Sequence, residues 1–234
     1  MIWSRKVDGE QALRGWEIPE EVEGEAWTEK RRAAAALRAL LERFVESDAD
    51  AAVFRDIGAK AEAMLAALEA EPSSKSGELF KQGTFFERHL EMKDRSVMVG
   101  RSNPLAPVVT VTEEGDKVVG RLRLDARYSG APGFCHGGIV ATVLDEILGH
   151  AAIVKGYGVV TQSLTVRYLR PTLLERETTC EARIRDVNGD RVVCVGDLYV
   201  DGKRTASAQG VFVDVKGDRF HEIFARAHGE RSSE

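Results

Sequence analysis

One helical stretch lacks a solvated face, and that constrains everything around it. Wound at ~100° per residue, residues 138–154 put Ile139, Val140, Val143, Leu144, Ile147 and Leu148 on one broad apolar face. The opposite face carries Ala141, Thr142, Asp145, Gly149 and Ala152, a single carboxylate ringed by small residues. Glu146 sits at its edge, in i,i+4 reach of His150. The flanking sequence reads as strand. Residues 108–112 and 117–124 flank a Glu113–Asp116 turn signal, and three runs follow the helix at 159–169, 177–187 and 191–200. Asn188-Gly189-Asp190 joins the last two, and Asp201-Gly202 leads into a final strand at 203–215. An apolar helix beside a mostly antiparallel sheet is an α+β layer arrangement. Spacing alone leaves Asp145 with two readings. The small residues leave room for a ligand or another backbone, or the Asp simply faces solvent with Gly149 incidental.

The rest of the chain adds an appendage. At 234 residues and 43% hydrophobic composition there is enough apolar side chain for a core, in one large domain or one medium domain with an extension. Residues 1–29 form a polar arm holding Trp3, Trp16 and Trp27. Thr28 is the expected N-cap of a first helix to Ser47, with Leu37, Leu41 and Phe44 on one stripe. A second helix carries Phe54, Ile57, Leu65 and Leu68 and stops before Pro72. Residues 72–77 read as a linker. The division is therefore 1–77, an arm and an amphipathic helix pair, and 78–234, the α+β domain with its core at about 100–215. The pair is too small for a core of its own, so it is expected to pack on the main domain as a lid or an interface brace.

Charge and cysteine usage exclude several function classes. The net charge of −5 suits neither general nucleic-acid binding nor an anionic membrane. Residues 30–71 hold seven basic and eight acidic side chains, which is no DNA footprint. Cys135, Cys180 and Cys194 form no C-x-x-C pair or disulfide framework. With no signal-peptide pattern at the start, a cytoplasmic protein is expected. The five histidines show no metal-ligand spacing, and no P-loop or G-x-G-x-x-G occurs, so neither a metal nor a separate cofactor is expected.

Chemistry concentrates at the start of the apolar helix. Phe134-Cys135-His136-Gly137-Gly138 puts two glycines at a helix N-terminus, where the amides lack internal partners and the dipole favours negative charge. Glycine lets a substrate approach the backbone. A carbonyl-polarising amide followed two turns later by a carboxylate suits acyl transfer.

Residues 136–149, His-Gly-Gly-Ile-Val-Ala-Thr-Val-Leu-Asp-Glu-Ile-Leu-Gly, resemble the signature of hotdog-fold acyl-CoA thioesterases of the PaaI-like type. There His-Gly-Gly opens the central helix and an acidic residue stands eight positions after the first glycine, here Asp145. Residues 161–171 resemble the following strand with its aromatic-x-Arg-Pro corner, and residues 102–106 are similar to the stretch before the first strand. The resemblance covers roughly residues 100–215 and says nothing of residues 1–77. It implies a hotdog fold, an antiparallel sheet wrapped around a central helix, here with an N-terminal helical extension. It also implies hydrolysis of acyl-CoA thioesters, with CoA part of the substrate. Gly137 N–H would polarise the carbonyl, and Asp145 would act as general base or as nucleophile. Thr161 would orient water across a dimer interface. His136 and Gly138 would shape the substrate site, Asn103 would line it or cap a turn, and Arg170 would meet a CoA phosphate or stay solvated. Relatives of this type join sheets edge to edge, so a homodimer or dimer of dimers is expected. Two other functions compete: a non-catalytic acyl-CoA sensor, and a hotdog dehydratase or hydratase, which would want a catalytic His in a different loop. Cys135 beside His136 suggests a nucleophile, but no third group orients the pair.

Overall fold

The computed structural model describes residues 24–73 and 89–215. The expectations for Trp3, Trp16 and the linker beyond Ser73 lie outside those residues. Helix α1 spans Glu25–Val45, α2 Ala51–Glu69 and the short α3 His89–Lys93. Strands β1 (Thr110–Glu114) and β2 (Lys117–Arg123) precede α4 (Gly137–Ile153). Then come β3 (Val159–Tyr168), β4 (Glu177–Asn188), β5 (Arg191–Val200) and β6 (Lys203–Asp214).

The turns form where the sequence places residues that tolerate positive φ. Gly115 and Gly189 adopt φ of 68° and 62° in the β1–β2 and β4–β5 hairpins. Asp201 and Gly202, at 48° and 73°, close β5 onto β6. All six strands form one antiparallel sheet in the order β1-β2-β4-β5-β6-β3. The strand after the helix therefore ends up on the far edge, beside the last strand.

Helix α4 lies across one face of this sheet. Val140, Val143, Leu144, Ile147 and Leu148 are at most 1% exposed, packed with Cys180, Val192, Cys194, Leu198 and Phe212. Each such side chain contributes roughly 1.5–3 kcal/mol. The three glycines of the helix cost about 1 kcal/mol each in propensity, so packing decides the outcome. The helix approaches closely because the sheet offers glycine beneath it: a Cβ on Gly120 would lie 2.5 Å from Ile147 Cδ1. This is the expected hotdog fold, a sheet wrapped around a central helix.

The small-residue face of α4 departs from expectation. Ala141, Thr142 and Asp145 keep some exposure, but Gly149, His150, Ala151 and Ala152 are buried. A Cβ on Gly149 would meet Phe212 at 3.6 Å, so the small residues there admit the aromatic ring of β6.

The N-terminal helices also attach differently. α1 starts three residues before Thr28, whose hydroxyl donates to the Gly24 carbonyl at 3.1 Å. Asp50 caps α2 by accepting from the Ala52 and Val53 amides. Phe44 and Phe54 meet edge to face at 5.5 Å, joining the pair. The dock onto the main domain, however, is polar. Asp94, fully buried, accepts from Trp27 Nε1 at 2.7 Å, Arg31 Nε at 2.9 Å, the Arg101 amide at 2.9 Å and the Ser102 hydroxyl. Burial works to raise its pKa, but the donors from Arg31, Ser102, Trp27 and Arg101 outweigh it and the net direction is down. Arg38 donates to the carbonyls of Arg101 and Asn103. Among the described residues the apolar stripe stays largely uncovered, with Leu65 57% and Leu68 71% exposed. The periodicity identified the stripe correctly, but the residues that fasten α1 are its arginines and Trp27.

Candidate active site

The first turn of α4 is built around His136. It is the N-cap, in extended conformation at φ −62° and ψ 133°, and its Nδ1 accepts the Gly138 amide at 3.0 Å. Its carbonyl accepts from the Ile139 and Val140 amides at 2.9 and 3.2 Å. Of the four amides a helix start leaves open, those of His136, Gly138 and Ile139 are engaged. The Gly137 N–H donates to no described residue. It belongs to the peptide whose carbonyl takes those two bonds, a polarisation that strengthens it as a donor.

The loop behind is framed tightly. The His136 amide donates to the Tyr128 carbonyl at 2.9 Å and the Cys135 amide to that of Thr172 at 2.8 Å. Tyr128 donates its hydroxyl to the Leu105 carbonyl, and Arg127 ties Asp125 to the Pro104 carbonyl. The two glycines have different requirements. A Cβ on Gly138 would come 3.1 Å from His136 Nδ1 and press on the cap. Gly137 has no positive φ, and the nearest atoms to a Cβ there would be those of the Tyr168 ring, at an ordinary 3.5 Å. Nothing in the fold demands glycine at 137.

Two turns on, Asp145 is partly exposed and accepts from Thr161 Oγ1 at 3.0 Å. The structure thus brings Thr161 to Asp145 of its own chain, where the resemblance had implied a contribution across an interface. A β-bulge makes this contact possible. Thr161 pairs with Phe212 and Ser163 with Val211, leaving Gln162 unpaired. One extra residue flips the alternation of side chains. Val159 and Thr161 before the bulge, and Leu164, Val166 and Tyr168 after it, therefore all face α4. Tyr168 closes the other end, donating its hydroxyl to the Gly137 carbonyl at 2.9 Å.

The remaining candidates are placed as follows. Asn103 spends its side chain on the 94–105 loop, donating to the Arg95 carbonyl and accepting from the Leu105 amide. Arg170 is exposed and donates to the Arg204 carbonyl at 2.9 Å. Burial pushes the Cys135 thiol up to about 11, which removes the thiolate at neutral pH and with it the nucleophile reading. Burial raises the Glu146 carboxyl, with Lys93 opposing and Asp145 adding. Among the described residues no group of His, Cys, Asp and Glu could hold a metal, and no helix is long and apolar enough to cross a membrane. A groove of about 420 Å³ crosses the sheet's outer face, lined by Arg167, Arg183 and Asp197 among others. Neither Gly137, Asp145 nor Thr161 lines it.

His150, beside Glu146, is pushed down to about 4 by burial, with Lys93 adding and the Glu146 backbone opposing. Its Nδ1 lies 3.0 Å from the Glu146 carbonyl. Between pH ~6.5 and about 4 the unfolded chain takes up a proton here that the native chain refuses, so stability falls as pH falls through that window. The loss expected at pH ~5 relative to ~8 is about 2 kcal/mol. Urea denaturation at both values, on wild type and His150→Gln, checks this: the variant should lose most of the pH difference.

Helix and strands together define a hotdog domain, with the Gly137 amide and Asp145 both on its central helix. Residues 132–207 match the family described as the Thioesterase superfamily. A crystal structure of a thioesterase superfamily protein is similar with a TM-score of 0.69 and 26% identity, covering 84% of this chain and 93% of that one. Acyl-coenzyme A thioesterase THEM4 of Xenopus laevis is 36% identical over 63 residues, 27% of this chain and 28% of that protein. Its counterpart in Rattus norvegicus is 27% identical over 89 residues, 38% of each chain. The matches thus span well under half of these two relatives.

Proposed function

We propose that the chain hydrolyses acyl-CoA thioesters to a free acid and CoA. The observation that carries this reading is the unengaged, polarised Gly137 amide at the head of the helix that presents Asp145 to Thr161. The amide stabilises the oxyanion that forms when the thioester carbonyl is attacked. Asp145 either takes the proton from the attacking water or attacks the carbonyl itself, giving an anhydride that water then opens. In both routes the C–S bond breaks and the CoA thiolate leaves. Thr161 fixes the carboxylate rotamer through its donated hydrogen bond. The relatives named acyl-coenzyme A thioesterase support CoA as the carrier.

The site needs two copies of the chain. Eight residues of helix separate Gly137 from Asp145, a rise of about 12 Å. From an oxyanion donor to a directly attacking oxygen the span is about 5 Å, and about 8 Å with one water between. One helix therefore cannot serve one carbonyl from both positions, even with the Asp side chain leaning toward the helix start. Among the described residues strand β3 is an edge strand with no neighbour on its outer side. Antiparallel pairing of two β3 strands about Thr165 sets Thr161 of one copy opposite Tyr168 of the other, on the same face once the bulge is counted. Asp145 of one copy then faces Gly137 of the partner subunit. A hydrolysis screen over acyl-CoAs of varied length and aromaticity tests the activity. Turnover of none of them by a folded, dimeric protein would refute the reading.

A further inference from the structure

We infer that Tyr168 is a positioning residue for the Gly137 amide, an inference that rests on the thioesterase reading above. Two consecutive glycines are a poor way to begin a helix, at about 1 kcal/mol each relative to alanine, and a first turn is where helices fray. An oxyanion donor needs the opposite, a fixed direction before substrate arrives. Three restraints act on this turn. The His136 ring holds the Gly138 amide. The Tyr128 carbonyl holds the His136 amide. The third comes from outside the loop: the Tyr168 hydroxyl donates to the Gly137 carbonyl at 2.9 Å. Its ring also fills the side-chain space that glycine leaves open, with Cε1, Cζ and Oη each 3.5 Å from the position a Cβ would take.

Tyr168 is 56% exposed in the single chain, so packing within its own chain does not account for an aromatic residue at this position. It stands on β3, the strand that also delivers Thr161 to Asp145. One edge strand thereby restrains both the carboxylate and the residue that carries the amide, and it does so on one face because Gln162 bulges between them. The phenol touches the backbone and not the reacting atoms. Its loss should lower turnover without weakening substrate binding.

The test is Tyr168→Phe in the full chain, with Tyr168→Ala beside it. Losing one neutral hydrogen bond corresponds to about a three- to tenfold fall in kcat, with KM unchanged for Phe. Ala, which removes the ring as well, should fall further. Amide hydrogen exchange at Gly138, whose N–H shares a peptide with the Gly137 carbonyl and is held by His136, should quicken in both variants while the slowest-exchanging core amides keep their wild-type rates. Wild-type kcat in Tyr168→Phe would overturn the inference. So would a fall in kcat matched by faster exchange throughout the core, which is what a merely structural role gives. If the wild type hydrolyses no acyl-CoA, the functional reading fails; the exchange measurement still decides whether Tyr168 holds Gly137.

Discussion

Gly137→Pro is expected to fold as stably as wild type and to turn over acyl-CoA about 10²–10³-fold more slowly at saturation. Proline removes one atom that matters, the amide hydrogen. That hydrogen bonds to no described residue, so no hydrogen bond among the described residues is lost with it. Proline is favoured at the first position of a helix, where its fixed φ is already helical. His136 stands in the extended conformation that a residue before proline adopts, at φ −62° and ψ 133°. The Cβ that proline adds meets Tyr168 at an ordinary 3.5 Å. Restricting the unfolded chain should even raise stability by about 0.4–1 kcal/mol. Thermal unfolding and steady-state kinetics on the best acyl-CoA check both halves. A kcat within threefold of wild type, in a folded variant, would show that the oxyanion is held elsewhere.

Most of the fold was legible because its signals are local. Apolar period, tight-turn residues and the glycine-opened helix each act over a few residues, and they place α4 and β5 to within a residue of where they lie. Sheet order was not legible. β3 follows α4 in the chain yet pairs with β6, a contact set by how the sheet wraps the helix. The candidate site shows the same division. Asp145, Gly137 and His136 stand in one short stretch with a pattern. The bulge at Gln162 carries no residue signal, and without it a strict alternation would put Thr161 and Tyr168 on opposite faces. Tyr168 was visible in the aromatic-x-Arg-Pro corner, but its partner is 31 residues away. Asn103 stood between lining the site and capping a turn, and the structure shows it capping, its amide used at both ends by the 94–105 loop. The N-terminal helices were read through their apolar stripe, whereas the attachment depends on Asp94, a buried carboxylate that no periodicity marks.

Asp145→Asn should lower kcat by about 10²–10⁴ with the fold retained, because the amide can neither accept the water's proton nor attack. Thr161 can still donate to the side-chain oxygen, so the local geometry survives. Glu146→Gln should be much milder, since that carboxyl is turned toward His150, 3.5 Å from Nδ1. The stronger consequence lies in mixing variants. If Gly137 of one copy and Asp145 of the other make each site, a mixed dimer of Gly137→Pro and Asp145→Asn holds one site with both defects and one with neither. Equal mixing by unfolding and refolding makes half the dimers mixed, so about a quarter of wild-type activity should return from two nearly inactive proteins. Sedimentation and differently tagged chains establish that mixed dimers form. Recovery of that size cannot come from sites built within one copy, which carry a defect in every combination. Mixed dimers with no recovered activity would place both groups within one chain, and the 12 Å rise along α4 would then need another route to the carbonyl.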